Sequence, residues 1–430
     1  MADGSGTPSR TEGETGPGFP VFWRLTLPLS GVNFLNQAAR ALIATIGPLL
    51  ALEFHLSATE LGLLAATFFA SYALAQLPVG LSMDLFGVRR VQQILSVIAA
   101  LGFAVCALSN GIAMLAVGRF ISGIGISVGM IAMLTAHSQW LPRHRVAGMT
   151  GIGIFMASFG GMAATLPAQQ VLPLIGWRGV FWVLAICAVA IALWITVSVP
   201  DPQRPPVVRR SLTREMLEFG RIFIHPAFLC FAPAISLLSG LNFTYGGLWA
   251  GPWLRDVGGF APEPRALLLM IYMSGMMAGS VTTGQLASFL HRRGFDAMTV
   301  PYIAIGGIWL VQVLLMLHPS GHPVVIGACW FLFSFLSSAG PAGYSAVAQR
   351  FPPEIAGRVG TAINFSMLVV VFVLQNAIGW VLDLWPRTAD GGWNPIGYEW
   401  AMGLTIALQA LTVLWLVTRQ RRRLTGDAAH

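Results

Sequence analysis

Long apolar stretches, separated by short polar segments, run through almost the whole chain. Twelve of them lie at residues 25–54, 61–82, 91–110, 111–137, 146–172, 177–199, 226–254, 265–290, 298–317, 322–348, 356–383 and 397–418. An α-helix of about 20 apolar residues is long enough to cross the hydrocarbon core of a bilayer. The pattern therefore predicts an all-α membrane protein with twelve transmembrane helices, which we call spans 1 to 12.

The composition agrees with a membrane protein and argues against a soluble domain. Of the 430 residues, 55% are hydrophobic and 10% are charged, whereas roughly a quarter of the residues in a soluble domain are charged. The net charge of +8 comes from 25 basic residues, all of which are arginine. They are scattered between the apolar stretches and form no basic face, so we expect no nucleic-acid partner.

Two short motifs recur along the chain. The sequence SGVNF at Ser30–Phe34 in span 1 recurs as SGLNF at Ser239–Phe243 in span 7, at an offset of 209 residues. The Ala147–Gly148 pair that enters span 5 recurs at the same offset as Ala356–Gly357 before span 11. An identical offset at equivalent helices predicts two six-helix pseudo-repeats, an arrangement that suits a transporter with a site at the membrane midplane.

The most polar internal stretch begins at Pro200 and separates the two halves. We expect a disordered N-terminal tail at 1–24, a first half at 25–199, a cytoplasmic linker at 200–224, a second half at 225–418 and a basic tail at 419–430.

The arginines between the spans indicate the orientation of the chain. With the N-terminus in the cytoplasm, nineteen arginines lie in the cytoplasmic segments and only four, Arg178, Arg255, Arg265 and Arg387, lie in the outer ones. Cytoplasmic loops of membrane proteins carry an excess of positive residues. We therefore expect both termini to be cytoplasmic and the protein to lie in the bacterial inner membrane.

Two motifs resemble those of the major facilitator superfamily. Gly80–Arg90, between spans 2 and 3, reads GLSMDLFGVRR, which resembles the loop signature GxLxDxxGxRR of that family. Arg119–Gly125 in span 4 reads RFISGIG and is similar to the family motif RxxxGxG. Together with the spans and the repeat, the resemblance covers essentially the whole chain and implies a transporter with the major facilitator fold. Gly176–Arg178 at the start of span 6 looks most like the anion:cation symporter branch.

The resemblance also implies roles for individual residues. In the family, the first loop latches the two halves in the outward-open state, which assigns a gating role to Asp84, Arg89 and Arg90. A degenerate second copy closes span 8, where Ser288 replaces the acidic residue. The arginine of the second motif faces the first helix in the family and is tied to substrate or proton coupling, which points to Arg119.

Two arginines lie well away from the ends of predicted spans, Arg40 in the middle of span 1 and Arg119 in span 4. A charged side chain at bilayer depth is costly and is by default a functional hypothesis. No Asp, Glu or Lys lies in the middle of a span, so an anionic substrate could supply the missing charge through bidentate hydrogen bonds. In the alternative interpretation, polar groups and backbone carbonyls of span 1 satisfy Arg119, which never touches the substrate.

Four polar residues of span 1 share one face of the helix at about 100° per residue. They are Asn33, Asn36, Gln37 and Arg40. Because a polar face would be untenable against lipid, we expect it to line a cavity between the halves.

The second half offers aromatic and amide groups in place of a second cation. Asn242 and Tyr245 of span 7 are equivalent to Asn33 and Asn36, and Trp249 replaces Arg40. Gln375 and Asn376 in span 11 are further candidates to line the cavity.

These observations predict a secondary transporter that moves a small organic anion by alternating access, with proton symport as the expected coupling. Glu53, His137 or the acid group of the substrate could carry the proton. Two alternatives stay open: an efflux antiporter for a neutral or amphipathic compound, and a non-transporting membrane receptor or assembly factor with the same fold. We expect a monomer in the lipid bilayer without enzymatic activity, cofactor or metal, since no catalytic constellation, phosphate-binding loop or metal-ligand spacing occurs in the sequence.

Overall fold

The computed structural model describes residues 21–200, 212–317, 322–352 and 355–427. Within these ranges the chain is helical and forms no strand. The helices are α1 (Leu27–Glu53), α2 (Ala58–Phe86), α3 (Val88–Ala107), α4 (Ile112–Gly125), α5 (Gly129–Trp140), α6 (Arg143–Ala163), α7 (Leu166–Ser198), α8 (Leu212–Ile224), α9 (Pro226–Thr244), α10 (Ala250–Asp256), α11 (Pro262–Arg292), α12 (Thr299–Met316), α13 (Pro323–Ser337), α14 (Gly340–Ala348), α15 (Ala356–Leu382) and α16 (Pro395–Asp427). Two π-helical turns, Phe22–Thr26 and Tyr245–Trp249, precede α1 and join α9 to α10.

The helices confirm the predicted membrane fold. Eleven helical segments of the described chain are long and apolar enough to cross a membrane, and the shorter apolar helix Gly148–Ala163 belongs to span 5. The range of α7 includes both the end of span 5 and the whole of span 6. The two parts are separated by a kink at Gly176, whose φ is +66°. Glycine adopts this left-handed conformation without a steric penalty.

The boundaries of the predicted tails and linker differ in the structure. The first helix already includes Phe22–Thr26, where Leu25 is fully buried, and α16 continues to Asp427 through most of the predicted basic tail, since arginine is a good helix former. Helix α8 occupies the end of the predicted linker and packs Phe219 and Ile222 against the second half. Residues 1–20, 201–211 and 428–430 of the predicted tails and linker lie outside the described residues.

The two halves touch closely at one end of the bundle. We call the end that holds the start of α1 and the end of α16 the terminal end, and the opposite one the distal end. At the distal end, a Cβ atom on Gly379 of span 11 would lie 2.5 Å from the backbone oxygen of Ala58 in span 2. A side chain on Gly62 would likewise collide with the backbone oxygen of Gln375. Only glycine permits helices to approach so closely.

The same interface helices stand apart at the terminal end. Gly80 of span 2, Gly148 of span 5, Gly284 of span 8 and Gly357 of span 11 have no atom of another segment within 4 Å of the position that a Cβ would take. The halves therefore form a V that is closed distally and open toward the end with the chain termini.

Candidate functional site

A small cavity lies near the middle of the bundle, where the two halves meet. The empty space at this site, which includes space open to solvent, is about 250 Å³. The lining consists of Gln37, Arg40 and Ala41 from span 1, Asn242, Phe243, Gly246 and Gly247 from span 7, and Tyr272, Met273 and Met276 from span 8.

Arg40 is the one charged residue among those that line the cavity. Its guanidinium carbon lies over the rings of Tyr72, Phe243 and Phe69, at 4.6, 4.8 and 5.7 Å from their centres. Only 8% of the residue is exposed, its Nε atom has no hydrogen-bond partner, and no carboxylate of the described chain forms an ion pair with it. Aromatic faces stabilise the cation, and its Nε–H is left without a protein partner that would compete with a ligand.

The rest of the polar stripe on span 1 divides between the cavity and the interior of the first half. Gln37 lines the cavity beside Arg40, and its side chain makes no hydrogen bond to the described residues. Asn33 instead donates to the backbone oxygen of Leu29 at 3.1 Å and faces Gly129 of span 4. Asn36 is buried, and its amide oxygen lacks a partner. The sequence-predicted stripe thus brings two of its four residues to the cavity.

Arg119 is bound to span 1 and does not line the cavity. Its Nη1 donates to the backbone oxygen of Ala39 at 2.7 Å, and its guanidinium carbon lies 4.3 Å from the centre of the Phe68 ring. The residue is 1% exposed. This geometry agrees with the interpretation in which a carbonyl of span 1 binds Arg119, and it fixes the backbone next to Arg40, while the Nε–H of Arg119 has no partner among the described residues.

A π-helical turn changes which residues of span 7 face the cavity. The turn covers Tyr245–Trp249, and an i→i+5 pattern rotates the following side chains out of the α-helical register. Gly246 and Gly247 line the cavity four residues after Asn242 and Phe243, on the same face of the helix. Tyr245 packs against Trp330 inside the second half, with 5.6 Å between ring centres. Trp249 lies against Trp393, with 6.2 Å between ring centres, so neither aromatic residue forms the predicted wall.

Asn242 does line the cavity, but its amide is engaged within the second half. Its Oδ1 accepts a hydrogen bond from the hydroxyl of Tyr272 at 2.8 Å, and its Nδ2 donates to Ser338 Oγ at 3.2 Å. The single hydroxyl proton of Tyr272 is shared with the backbone oxygen of Asn242, which lies 2.7 Å from Tyr272 Oη. These bonds fix spans 7, 8 and 10 around the cavity.

The two candidates in span 11 lie elsewhere. Gln375 Nε2 donates to the backbone oxygen of Thr244 at 3.1 Å, and the Gln375 backbone forms part of the distal contact with Gly62. Asn376 Nδ2 donates to the backbone oxygen of Phe372 in its own helix at 2.7 Å. Both side chains hold helices in position, and neither lines the cavity.

The predicted gating residues lie at the terminal end, between α2 and α3. Arg89 donates to the backbone oxygen of Thr196 at the end of span 6, a contact within the first half, and Arg90 is exposed. The side chain of Asp84 lies outside the described residues. The gating role of these three residues therefore stays a prediction.

The distal end contains a polar contact between the halves that the sequence did not reveal. Asp383, at the end of span 11, accepts hydrogen bonds from the backbone N–H groups of Ala58 and Thr59 at 2.9 and 2.8 Å. These are the first two residues of α2, whose start carries free N–H groups and a partial positive charge. Arg387 donates to the backbone oxygen of Leu56. We call the Asp383 and Arg387 contacts the distal latch.

The two protein groups considered as proton carriers lie away from the cavity. Glu53, at the distal end of span 1, pairs with Arg178 at 2.9 Å and accepts a hydrogen bond from Trp177 Nε1 at 2.6 Å. His137 is fully buried near the terminal end of the first half, where its ring nitrogens bond to Thr26 and Thr150 at 2.9 and 2.8 Å. In the part of the chain that the structure describes, no group of three or more potential metal ligands occurs.

Comparison with known proteins gives matches along most of the chain. A family profile described as Major Facilitator Superfamily matches residues 29–375. A probable sulfoacetate transporter of Cupriavidus necator is 23% identical over 375 residues, or 81% of this chain and 85% of the relative. The cis,cis-muconate transport protein of Acinetobacter baylyi is 27% identical over 333 residues, or 74% of this chain and 77% of the relative.

A solved structure shares the fold. The crystal structure of a bacterial homolog to the human lysosomal transporter Spinster, in an inward-facing and occupied conformation, superposes with a TM-score of 0.72 at 16% identity. The match covers 92% of this chain and 96% of that one.

Proposed function

Because the chain belongs to the major facilitator superfamily, we propose that it carries a small organic anion across the bacterial inner membrane by alternating access. The family and the relatives are transporters, and the chain is not an enzyme. One observation carries the choice of an anion: Arg40 lies in the cavity between the halves with an unused Nε–H donor and no counter-ion among the described residues. A buried cation without a partner is costly, and an anionic solute would remove that cost on binding.

The V shape supports alternating access. With both termini in the cytoplasm, as the arginine distribution predicts, the open terminal end faces the cytoplasm and the distal latch closes the outer side. The relatives agree with the choice of solute class, since two of them are named as transporters of sulfoacetate and of cis,cis-muconate.

We further propose that the proton gradient drives uptake. Since the contacts of Glu53 and His137 keep both groups out of the cavity, the acid group of the solute is the remaining candidate from the sequence to carry the proton. The solute would then bind Arg40 as a carboxylate and accept the proton on that carboxylate before it leaves the cavity. A second coupling, exchange of one anion for another, is favoured by the same observation: no carboxylate or histidine is among the lining residues, and an anion would neutralise Arg40 in both directions of movement.

A thermal-shift screen with matched pairs tests the anion proposal. Each carboxylic acid is compared with its own carboxamide on wild-type protein, on Arg40→Gln and on Arg293→Gln. Arg293 is exposed and lies 4.3 Å from the centre of the Phe289 ring, so it is a matched cation on an aromatic face outside the cavity. Loss of one partner of a buried charge pair costs about 2–5 kcal/mol, so we expect affinity for acids to fall roughly 30-fold or more in Arg40→Gln only. Equal stabilisation by acids and amides would contradict the proposal.

Uptake into proteoliposomes then separates the couplings and the alternative functions. Proton symport predicts that an imposed pH gradient alone drives accumulation of an acid identified in the screen. Exchange predicts accumulation only into vesicles preloaded with that acid. Binding without any flux would support the receptor alternative, and transport restricted to neutral or amphipathic compounds would support the efflux alternative.

A further inference from the structure

We infer that the first half binds one acyl chain of a membrane lipid in an apolar groove between spans 1, 5 and 6. The groove has a volume of about 320 Å³. It shares no lining residue with the cavity at Arg40, so this site does not depend on the identity of the transported solute.

Span 1 forms the floor of the groove. Leu35, Ala38 and Leu42 line it, and all three are buried. At about 100° per residue they lie on the face of span 1 opposite Arg40. With a rise of 1.5 Å per residue, the floor from Leu35 to Leu42 is about 10 Å long, so an extended chain can lie along it.

Spans 5 and 6 form the walls. Ala164 and Ala168 line the groove from span 5, and Cys187 lines it from span 6. Span 5 is interrupted at Thr165, whose φ of −104° and ψ of −109° are not helical. Alanine side chains beside this interruption are too short to fill the space between the walls, and the groove remains.

The groove offers no partner to water. The described residues that line it have apolar side chains, and the thiol of Cys187 is the one group among them with a weak hydrogen-bonding capacity. At the interruption of span 5, the backbone oxygen of Ala164 already accepts a hydrogen bond from Thr45 Oγ1 at 2.8 Å. A buried water needs two to four polar partners, whereas an apolar occupant gains dispersion contacts with the lining.

The rim of the groove is continuous with the lipid-facing surface of the bundle. Val171, Ile175 and Val183 line the groove and are still 38–48% exposed. Leu174 and Ile186, which are exposed beside them, extend the apolar surface outward. Because the chain spans a membrane, acyl chains cover this surface and can enter the groove between the walls.

The depth of the groove identifies the leaflet that supplies the chain. The two walls join at Gly176, at the distal end of the bundle, and the floor runs from Leu42 toward Leu35 in the middle of span 1. No charged residue lines the groove, so the polar headgroup stays outside it. A lipid of the distal leaflet therefore places the end of its chain near Leu35 and the middle of its chain near Leu42.

Photocrosslinking to the full-length protein in proteoliposomes tests the site. Two phospholipid probes carry a diazirine, one at the end and one in the middle of an acyl chain, and mass spectrometry identifies the labelled residues. We expect both probes to label the buried floor, the first at least threefold more at Leu35 and the second at least threefold more at Leu42. Label confined to exposed residues such as Ile186 would overturn the binding site. A reversed or absent preference would overturn an extended chain from the distal leaflet.

A matched pair of variants on span 6 tests the groove itself. Cys187→Phe narrows the groove from its wall, so we expect labelling of the floor to fall at least fivefold. Ala190→Phe, about one turn further along the same helix, changes an exposed residue outside the lining and should leave the labelling unchanged. Equal melting temperatures of the two variants verify that the fold is kept. Unchanged floor labelling in Cys187→Phe would contradict binding in the groove, and the wild-type labelling pattern decides the matter if that variant does not fold.

Discussion

Replacement of Asp383 by asparagine should loosen the closed distal end. The Asp383 carboxylate joins span 11 of the second half to the first turn of α2 in the first half through two backbone N–H groups. The start of α2 is otherwise capped locally, since Ser57 Oγ accepts from the Glu60 N–H at 3.1 Å and the Ser57 N–H donates to Glu60 at 2.8 Å. Helix α2 therefore stays formed in the variant, and the change acts on the contact between the halves.

The size of the effect follows from the exposure of the latch. An acidic helix cap contributes about 0.5–2 kcal/mol, and its attraction to the helix N-terminus contributes about 0.3–1 kcal/mol. Asp383 is exposed, so solvent screens the charge. Asparagine also keeps one acceptor oxygen. We therefore expect a loss of about 1 kcal/mol, which lowers the ratio of closed to open distal ends about fivefold.

Spin-label distances measure this ratio. Labels at Leu108 and Val324, which are exposed at the distal ends of spans 3 and 10, report the separation of the halves in a background without the four native cysteines. Asp390→Asn is the matched control, since Asp390 is exposed in the same loop and has no hydrogen bond to the described residues. The latch has no role in closure if Asp383→Asn and Asp390→Asn give the same distance distribution.

Three further predictions concern the contact between the halves and the two buried arginines. Gly62→Ala should also populate the open distal state in the distance measurement, because the new methyl group collides with span 11. Gly284→Ala is the control at the terminal end, where the methyl group meets open space and should change nothing. Equal effects of the two variants would contradict the V shape. Arg119→Met should lower the melting temperature of the ligand-free protein, because it removes the bond to span 1 and leaves a buried carbonyl unpaired. Arg40→Met should keep or raise it, because the variant removes a buried cation without a partner, and a clear decrease would indicate a structural role for Arg40.

The sequence predicted the fold well because the membrane fixes the length of its helices. Twelve spans and two repeats could be read from hydropathy and from the recurrence of Ser30–Phe34 at Ser239–Phe243, and the helices confirm them. The tails were harder to predict: α16 continues to Asp427 because polar, arginine-rich sequence also forms helix beyond the membrane. Hydropathy alone cannot locate that end.

The site was predicted only in part, for reasons of local geometry. Arg40 and Gln37 line the cavity because charge and polarity in an apolar helix already indicate an unusual environment. Trp249 was assigned as the equivalent of Arg40 through the repeat offset of 209 residues, but it lies in a π-helical turn that span 1 lacks at Arg40 and packs against Trp393. Asp383 was visible only as an acid at a helix end, since its partners Ala58 and Thr59 are more than 320 residues away in the chain.

The most direct test of the central claim locates a bound anion. We predict that a crystal structure with 4-bromobenzoate, recorded at the bromine absorption edge, shows the carboxylate at hydrogen-bond distance from Arg40 and the bromine toward Met273 and Met276. The same experiment on Arg40→Gln should show no bromine in the cavity. A bromine peak only outside the cavity, or a carboxylate that points away from Arg40, would contradict the account.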